Sequence, residues 1–128
     1  MFEKLEITRM AQSLAAHAGQ RMGVIAQNVA HADNPDYKTR DLPDFAKTYA
    51  EQYGEGLRVT RQGHFGADGA SAPLVPVVQR GADAPNGNSV SLEAEMVKAA
   101  EVRQQHDMAL SIYRSTSDIL KLALGRGR

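Results

Sequence analysis

From Ile7 to Asp33 the apolar positions Ile7, Ala11, Leu14, Ala18, Met22, Ile25 and Val29 follow steps of 4, 3, 4, 4, 3 and 4. Steps of this size keep one face of an α-helix apolar, because a turn takes 3.6 residues. The pattern recurs after eleven residues (Ile7, Ala18, Val29), which predicts a nearly straight or slightly right-handed helix. Asn34-Pro35 ends it, since a residue before proline is pushed out of the α region. At 1.5 Å per residue the predicted helix is roughly 40 Å long. Gly19 and Gly23 stand four apart, where they either weaken the helix or let a second helix approach closely.

A second helix is announced by turn chemistry at Asn86-Gly87-Asn88, followed by Ser91 as N-cap. Glu93 and Glu95 fall in its first turn, where the helix dipole favours anions, and Gly125 supplies the stop after Leu124. Leu92, Met96, Ala99, Arg103, His106, Leu110, Tyr113, Ser117, Leu120 and Leu124 alternate steps of 4 and 3, a heptad row. Val102, Ala109, Ile112, Ile119 and Ala123 lie beside it and broaden the apolar face. This helix is predicted to be roughly 50 Å long.

Between the helices the chain changes character. Residues 35–89 hold all five prolines and most of the glycines. Leu57-Arg58-Val59-Thr60 and Leu74-Val75-Pro76-Val77-Val78 read as short strands, the second demoted to an edge by Pro76, and Asp44–Tyr53 as a short helix. The expected organisation is thus residues 1–34 as an N-terminal helix, 35–89 as an extended loop with a small irregular, β-containing insert, and 90–128 as a C-terminal helix. The expected fold is mainly α: two long terminal amphipathic helices in a coiled-coil-like layer. Each apolar stripe is wider than a single seam needs, so paired helices still leave apolar surface open. Association with further copies or homologous chains is the expected remedy.

Composition supports an assembly subunit over an enzyme. Three phenylalanines, four tyrosines and no tryptophan provide little of the aromatic bulk of a self-sufficient core. Basic and acidic residues balance at fifteen each, so no net field favours nucleic acid or an anionic membrane. The absence of cysteine removes disulfides, thiolate catalysis and cysteine-bound zinc. No run approaches the ~20 apolar residues that span a bilayer. Met1–Glu6 has neither the basic start nor the apolar run of a secretory signal, so any export is expected to proceed without cleavage of one. His17, His31, His64 and His106 lack metal-ligand spacing, and Asp33, Asp36, Asp41 and Asp44 lack the order of a calcium loop. Turn formation and capping account better for these aspartates. Gly63, Gly66 and Gly69 form no phosphate loop and no serine sits in a nucleophile elbow. No catalytic residue, metal or cofactor is expected.

One segment is more specific than its periodicity. Asn28-Val29-Ala30-His31-Ala32-Asp33-Asn34-Pro35-Asp36-Tyr37-Lys38-Thr39-Arg40-Asp41-Leu42 closely resembles the signature that closes the N-terminal helix in bacterial flagellar rod and hook proteins. Its continuation through Phe45 is most similar to the FlgB family of proximal rod proteins. Asn86-Gly87-Asn88-Ser89-Val90-Ser91-Leu92-Glu93-Ala94-Glu95-Met96 resembles the same family's approach to its last helix. Asn34 replaces a usual threonine, His31 a common asparagine and Asp36 a usual glycine. Glycine there points to a positive φ, which aspartate tolerates less well, so the turn is expected to form slightly differently.

The resemblance implies a structural subunit of the flagellar proximal rod, exported through the type III apparatus and assembled in the periplasm into the shaft that carries motor torque. Implied partners are copies of itself, other proximal rod proteins, and the adaptor joining the rod to the membrane-embedded ring and export gate. The expected assembly interface comprises Ile7, Leu14, Met22, Ile25, Asn28, Val29, Ala32, Pro35, Tyr37, Lys38, Arg40, Leu92, Met96, Leu110, Tyr113, Leu120 and Leu124. Asn28 is placed to bond across to a neighbouring chain or back to the turn, with Tyr37, Lys38 and Arg40 on the extended strand that follows. The alternative is a cytoplasmic helical adaptor or chaperone of an export system, which needs no export. A small metal-dependent hydrolase using His64 or His106 is the weakest reading.

Overall fold

The computed structural model describes residues 2–53 and 74–125. Its longest element is α3, Leu92–Ala123. The Ser91 side chain accepts a hydrogen bond from the Ala94 amide, and Glu93 and Glu95 occupy the first turn, as the sequence predicts. At the other end the Leu124 amide reaches the Leu120 carbonyl and Gly125 adopts a φ of 75°. The first helix, α1, spans Phe2–Ala30. It starts before Ile7 because nothing in Phe2–Glu6 breaks a helix. It ends ahead of Asp33, as the His31 and Ala32 amides tighten onto carbonyls three residues back.

Asn28, late in α1, meets Glu95, early in α3, while Ala18, Met22 and Ile25 pack on Ala99 and Val102. The two helices are therefore antiparallel and pair within one chain. Among the described residues, six positions of α1 are buried, His17, Val24 and Asn28 besides the seam positions Ala11, Ala18 and Ile25, which face Glu95, Val102, Ala109 and Thr116 of α3. Both sets step by seven, so the seam follows a heptad rather than the eleven-residue repeat read from the sequence. The α3 seam also lies beside the predicted row. Ala99, His106, Leu110, Ser117 and Leu120 are half-buried at its flank, and Leu92, Met96, Arg103, Tyr113 and Leu124 are exposed. Size explains the choice: alanine, valine and threonine let the helix axes close in, and larger side chains are left at the margins.

A second layer covers another side of α1. After the turn, β1 (Arg40–Asp41) leads into α2 (Phe45–Tyr53), and this stretch runs back along α1. Asn28 bonds to Arg40, Arg21 to Asp41, and the His17 Nε2–H donates to the Pro43 carbonyl at 2.8 Å. Further along, the Arg9 guanidinium stands 5.9 Å from the centre of the Tyr53 ring. Phe45, Tyr49 and Tyr53, four apart, form a ladder of ring contacts that begins edge-on against His17. The α1 side chains that meet this layer, Arg9, His17, Arg21 and Asn28, are polar and lie outside the apolar stripe. Antiparallel to β1 runs β2 (Val77–Val78), with Arg40 opposite Val78 and Asp41 opposite Val77. The predicted strand at Leu74–Val78 is thus shorter, and its observed partner is the segment after the turn. The predicted strand at Leu57–Thr60 lies outside the described residues. Among those described, no helix is long and apolar enough to cross a membrane.

Candidate assembly interface

Asn28 is fully buried where α1, α3 and the strand converge. Its Nδ2 donates to the Arg40 carbonyl (2.7 Å) and to Glu95 Oε2 (2.9 Å). Its Oδ1 accepts from the Arg40 amide (3.1 Å) and the Tyr37 hydroxyl (3.2 Å). Both donors and both acceptor sites of the amide are occupied, as a buried polar group requires. The bond expected either between chains or back to the turn is thus made within the chain, to the strand and to α3. Glu95, 1% exposed, is admitted to the seam by the same amide and by Lys98 Nζ on its other oxygen at 2.9 Å.

About two turns back along α1 lies a second polar cluster. Arg21 grips Asp41 with both arms of its guanidinium, Nε to Oδ1 at 2.7 Å and Nη2 to Oδ2 at 2.8 Å. Lys98 approaches the same carboxylate from α3 at 3.9 Å. Burial pushes the Asp41 carboxyl up, but the Arg21 hydrogen bonds and charge, the Leu42 amide and the Lys98 charge outweigh it and leave the group below the usual carboxylate range. Conversely, the bond to Asp41 raises Arg21 despite desolvation. Two cations and two anions thus join three elements: Arg21 on α1, Asp41 on β1, and Glu95 with Lys98 on α3.

The turn itself is held by Asn88. Its Nδ2 lies 2.9, 2.8 and 2.7 Å from the carbonyls of His31, Ala32 and Asn34, in the turn that follows α1. Asp36 adopts a φ of 59°. Asp36 thus takes the left-handed conformation that a glycine would adopt here without steric cost. Gly87, at φ 80°, faces it, and a Cβ there would collide with the Asp36 carboxylate. Beyond the turn, Thr39 and Ser89 exchange backbone and hydroxyl bonds, and Lys38 bridges Asp83 (2.7 Å) and the Gly87 carbonyl (2.8 Å). Tyr37 stacks on His31 with ring centres 4.7 Å apart. The two segments singled out in the sequence therefore form one polar clasp at the end of the hairpin.

The predicted interface residues divide between the clasp, the hairpin and the surface. Asn28, Tyr37 and Lys38 are engaged in the clasp, and Ala32 is half-buried beneath it. The Arg40 backbone also belongs to the clasp, whereas the residue as a whole is exposed, like Pro35. Ile25 is buried in the seam, and Leu14, Met22, Leu110 and Leu120 are half-buried. Ile7, Val29, Leu92, Met96, Tyr113 and Leu124 are exposed, Met96 by 72% and Leu124 by 75%. Sequence reasoning missed Arg21, Asp41, Asn88, Glu95 and Lys98 as partners; the seven-residue step from Glu95 to Val102, Ala109 and Thr116 was the available signal. It also passed over the exposed valines at 75, 77 and 78.

No protein-family model matches the chain. Curated relatives do. The chain is 30% identical over 126 residues to the flagellar basal body rod protein FlgB of Salmonella typhimurium, covering 90% of this chain and 91% of that one. It is 31% identical over 122 residues to FlgB of Escherichia coli, covering 87% and 88%. To FlgB of Agrobacterium fabrum it is 26% identical over 129 residues, covering 97% and 96%. Similarity of this extent takes in both helices and the clasp between them, and on that ground the chain belongs to the FlgB family of flagellar basal body rod proteins.

Proposed function

We propose that this chain is a structural, non-catalytic subunit of the proximal rod, packing through its terminal helices into the shaft that transmits motor torque. The observation that carries the reading is the contrast between the two parts of the molecule. The clasp satisfies its polar groups internally and fixes a long hairpin, while large apolar side chains on both helices stay uncovered. Burying an exposed leucine or methionine is worth about 1.5–3 kcal/mol, so a row of them supports assembly with other chains. Ile7, Val29, Leu92, Met96, Tyr113 and Leu124 serve as direct contacts in this reading. Leu14, Met22, Ile25, Leu110 and Leu120 hold the helices that present them. Copies of the chain, other proximal rod proteins and the rod-to-ring adaptor are the partners, with the flagellar export apparatus met in transit. The chain works in the periplasm, delivered without a cleaved signal peptide.

Met96→Asp tests this. The side chain is exposed in the free chain, so the helical far-UV signal and the urea midpoint should stay unchanged while motility is lost. Normal swimming by the variant would contradict the proposal.

A further inference from the structure

Two exposed helical faces differ in a way that a continuing assembly can use. On α3, Met108, Ile112, Ile119 and Leu122 are all exposed, Leu122 by 73%. With Ser115 they form a row stepping by 4, 3, 4 and 3. At 3.6 residues per turn this row stands roughly 100° around the helix from the seam of Val102, Ala109 and Thr116. Asp107, Arg114, Asp118 and Lys121 fall toward the opposite flank, so the row itself is uncharged. Single exposed apolar residues are ordinary, but a row at heptad spacing is a packing face, and none of the described residues covers it.

The matching feature lies on α1. No exposed residue from Met10 to Ala30 carries a charge, in a chain that is 23% charged. Ala16, Gly19, Gly23, Ala26 and Ala30 lie within this face at steps of 3, 4, 3 and 4, the same heptad period. A Cβ on Gly19 or Gly23 would meet nothing within 4 Å among the described residues, so their packing does not require glycine there. Each glycine nevertheless costs the helix about 1 kcal/mol relative to alanine.

We infer that the apolar row of α3 in one copy seats on the uncharged α1 face of a second copy. The inference rests on the rod reading, which needs two unlike surfaces per subunit: like-with-like contacts close after two copies, whereas unlike ones continue. Equal periods let large side chains meet small ones repeatedly over about 20 Å of helix. Neither face brings a charge that burial would leave unpaired, in keeping with the depletion of charge at interface centres.

The natural absence of cysteine makes the test direct. Gly23→Cys and Ile112→Cys chains carrying different tags are produced together in one cell, oxidised, and recovered from purified basal bodies. The expected product is the mixed disulfide, at least tenfold above either symmetric one. Incorporation of both variants without that preference, or with a dominant symmetric Gly23→Cys product, overturns the pairing and leaves the rod reading standing. Absence of the unsubstituted chain from the particles overturns both. A second measurement needs no cross-link: Gly23→Leu should retain its helical signal and lose incorporation at least tenfold. Full incorporation of Gly23→Leu would overturn the inference.

Discussion

Replacing Asn28 by alanine removes four hydrogen bonds at a site closed to solvent. The two bonds to the Arg40 backbone contribute about 1 kcal/mol each, and the bond to the Glu95 carboxylate about 2 kcal/mol. The Tyr37 bond, at 3.2 Å, adds less than about 1 kcal/mol. Together they predict a loss of about 4 kcal/mol, a large share of the ~5–15 kcal/mol that typically holds a domain. The assay is urea unfolding of the purified chain followed by far-UV circular dichroism. With a slope of about 1–3 kcal/mol/M, the midpoint should fall on the order of 2 M. Tyr37→Phe serves as the internal comparison, since it removes only the longest of the four bonds. A cost for Asn28→Ala below about 1 kcal/mol, equal to that of Tyr37→Phe, would refute the claim that this amide joins the three elements.

Two further predictions concern neighbouring parts of the clasp. Because the folded Asp41 carboxyl lies below its ordinary range, its stabilising contribution is present above the unfolded value of about 4 and fades as pH falls through the lower folded value. The chain should therefore lose stability in acid, and Asp41→Asn should be less stable at neutral pH with a flatter acid limb, read from urea midpoints across pH. At the turn, Asp36→Gly should raise stability by up to about 1 kcal/mol by relieving the left-handed aspartate, whereas Gly87→Ala should lower it by more than about 1 kcal/mol. Thermal melts of the two variants check this, and a shift of the same sign in both would contradict it.

Both long helices, the short one at Phe45–Tyr53 and the Ser91 cap were legible in the sequence, because apolar spacing and capping chemistry are local signals. The seam was not. A hydrophobic pattern selects the largest apolar residues, so it put Leu92 and Met96 in the heptad row and passed over Glu95 and Thr116. Burial of Glu95 depends on Asn28, distant in sequence, and on Lys98, and only the closed hairpin brings them together. The same holds for β1, whose two residues form a strand only because residues 77–79 lie alongside. Asn28 and Asn88 stood within the diagnostic segments, but their shared task of closing the end of α1 follows from distances rather than spacing. The family resemblance reached the right biological setting because its motifs are the clasp, the part of the chain with the most specific chemistry.

As a rod subunit, the chain should be a built-in component of the flagellar basal body. Quantitative peptide mass spectrometry on purified hook–basal bodies tests it most directly. A few copies per particle, far fewer than of the hook protein, are expected. Absence from the particles, with the chain retained in the cytoplasm, would contradict it and favour a helical adaptor of the export system.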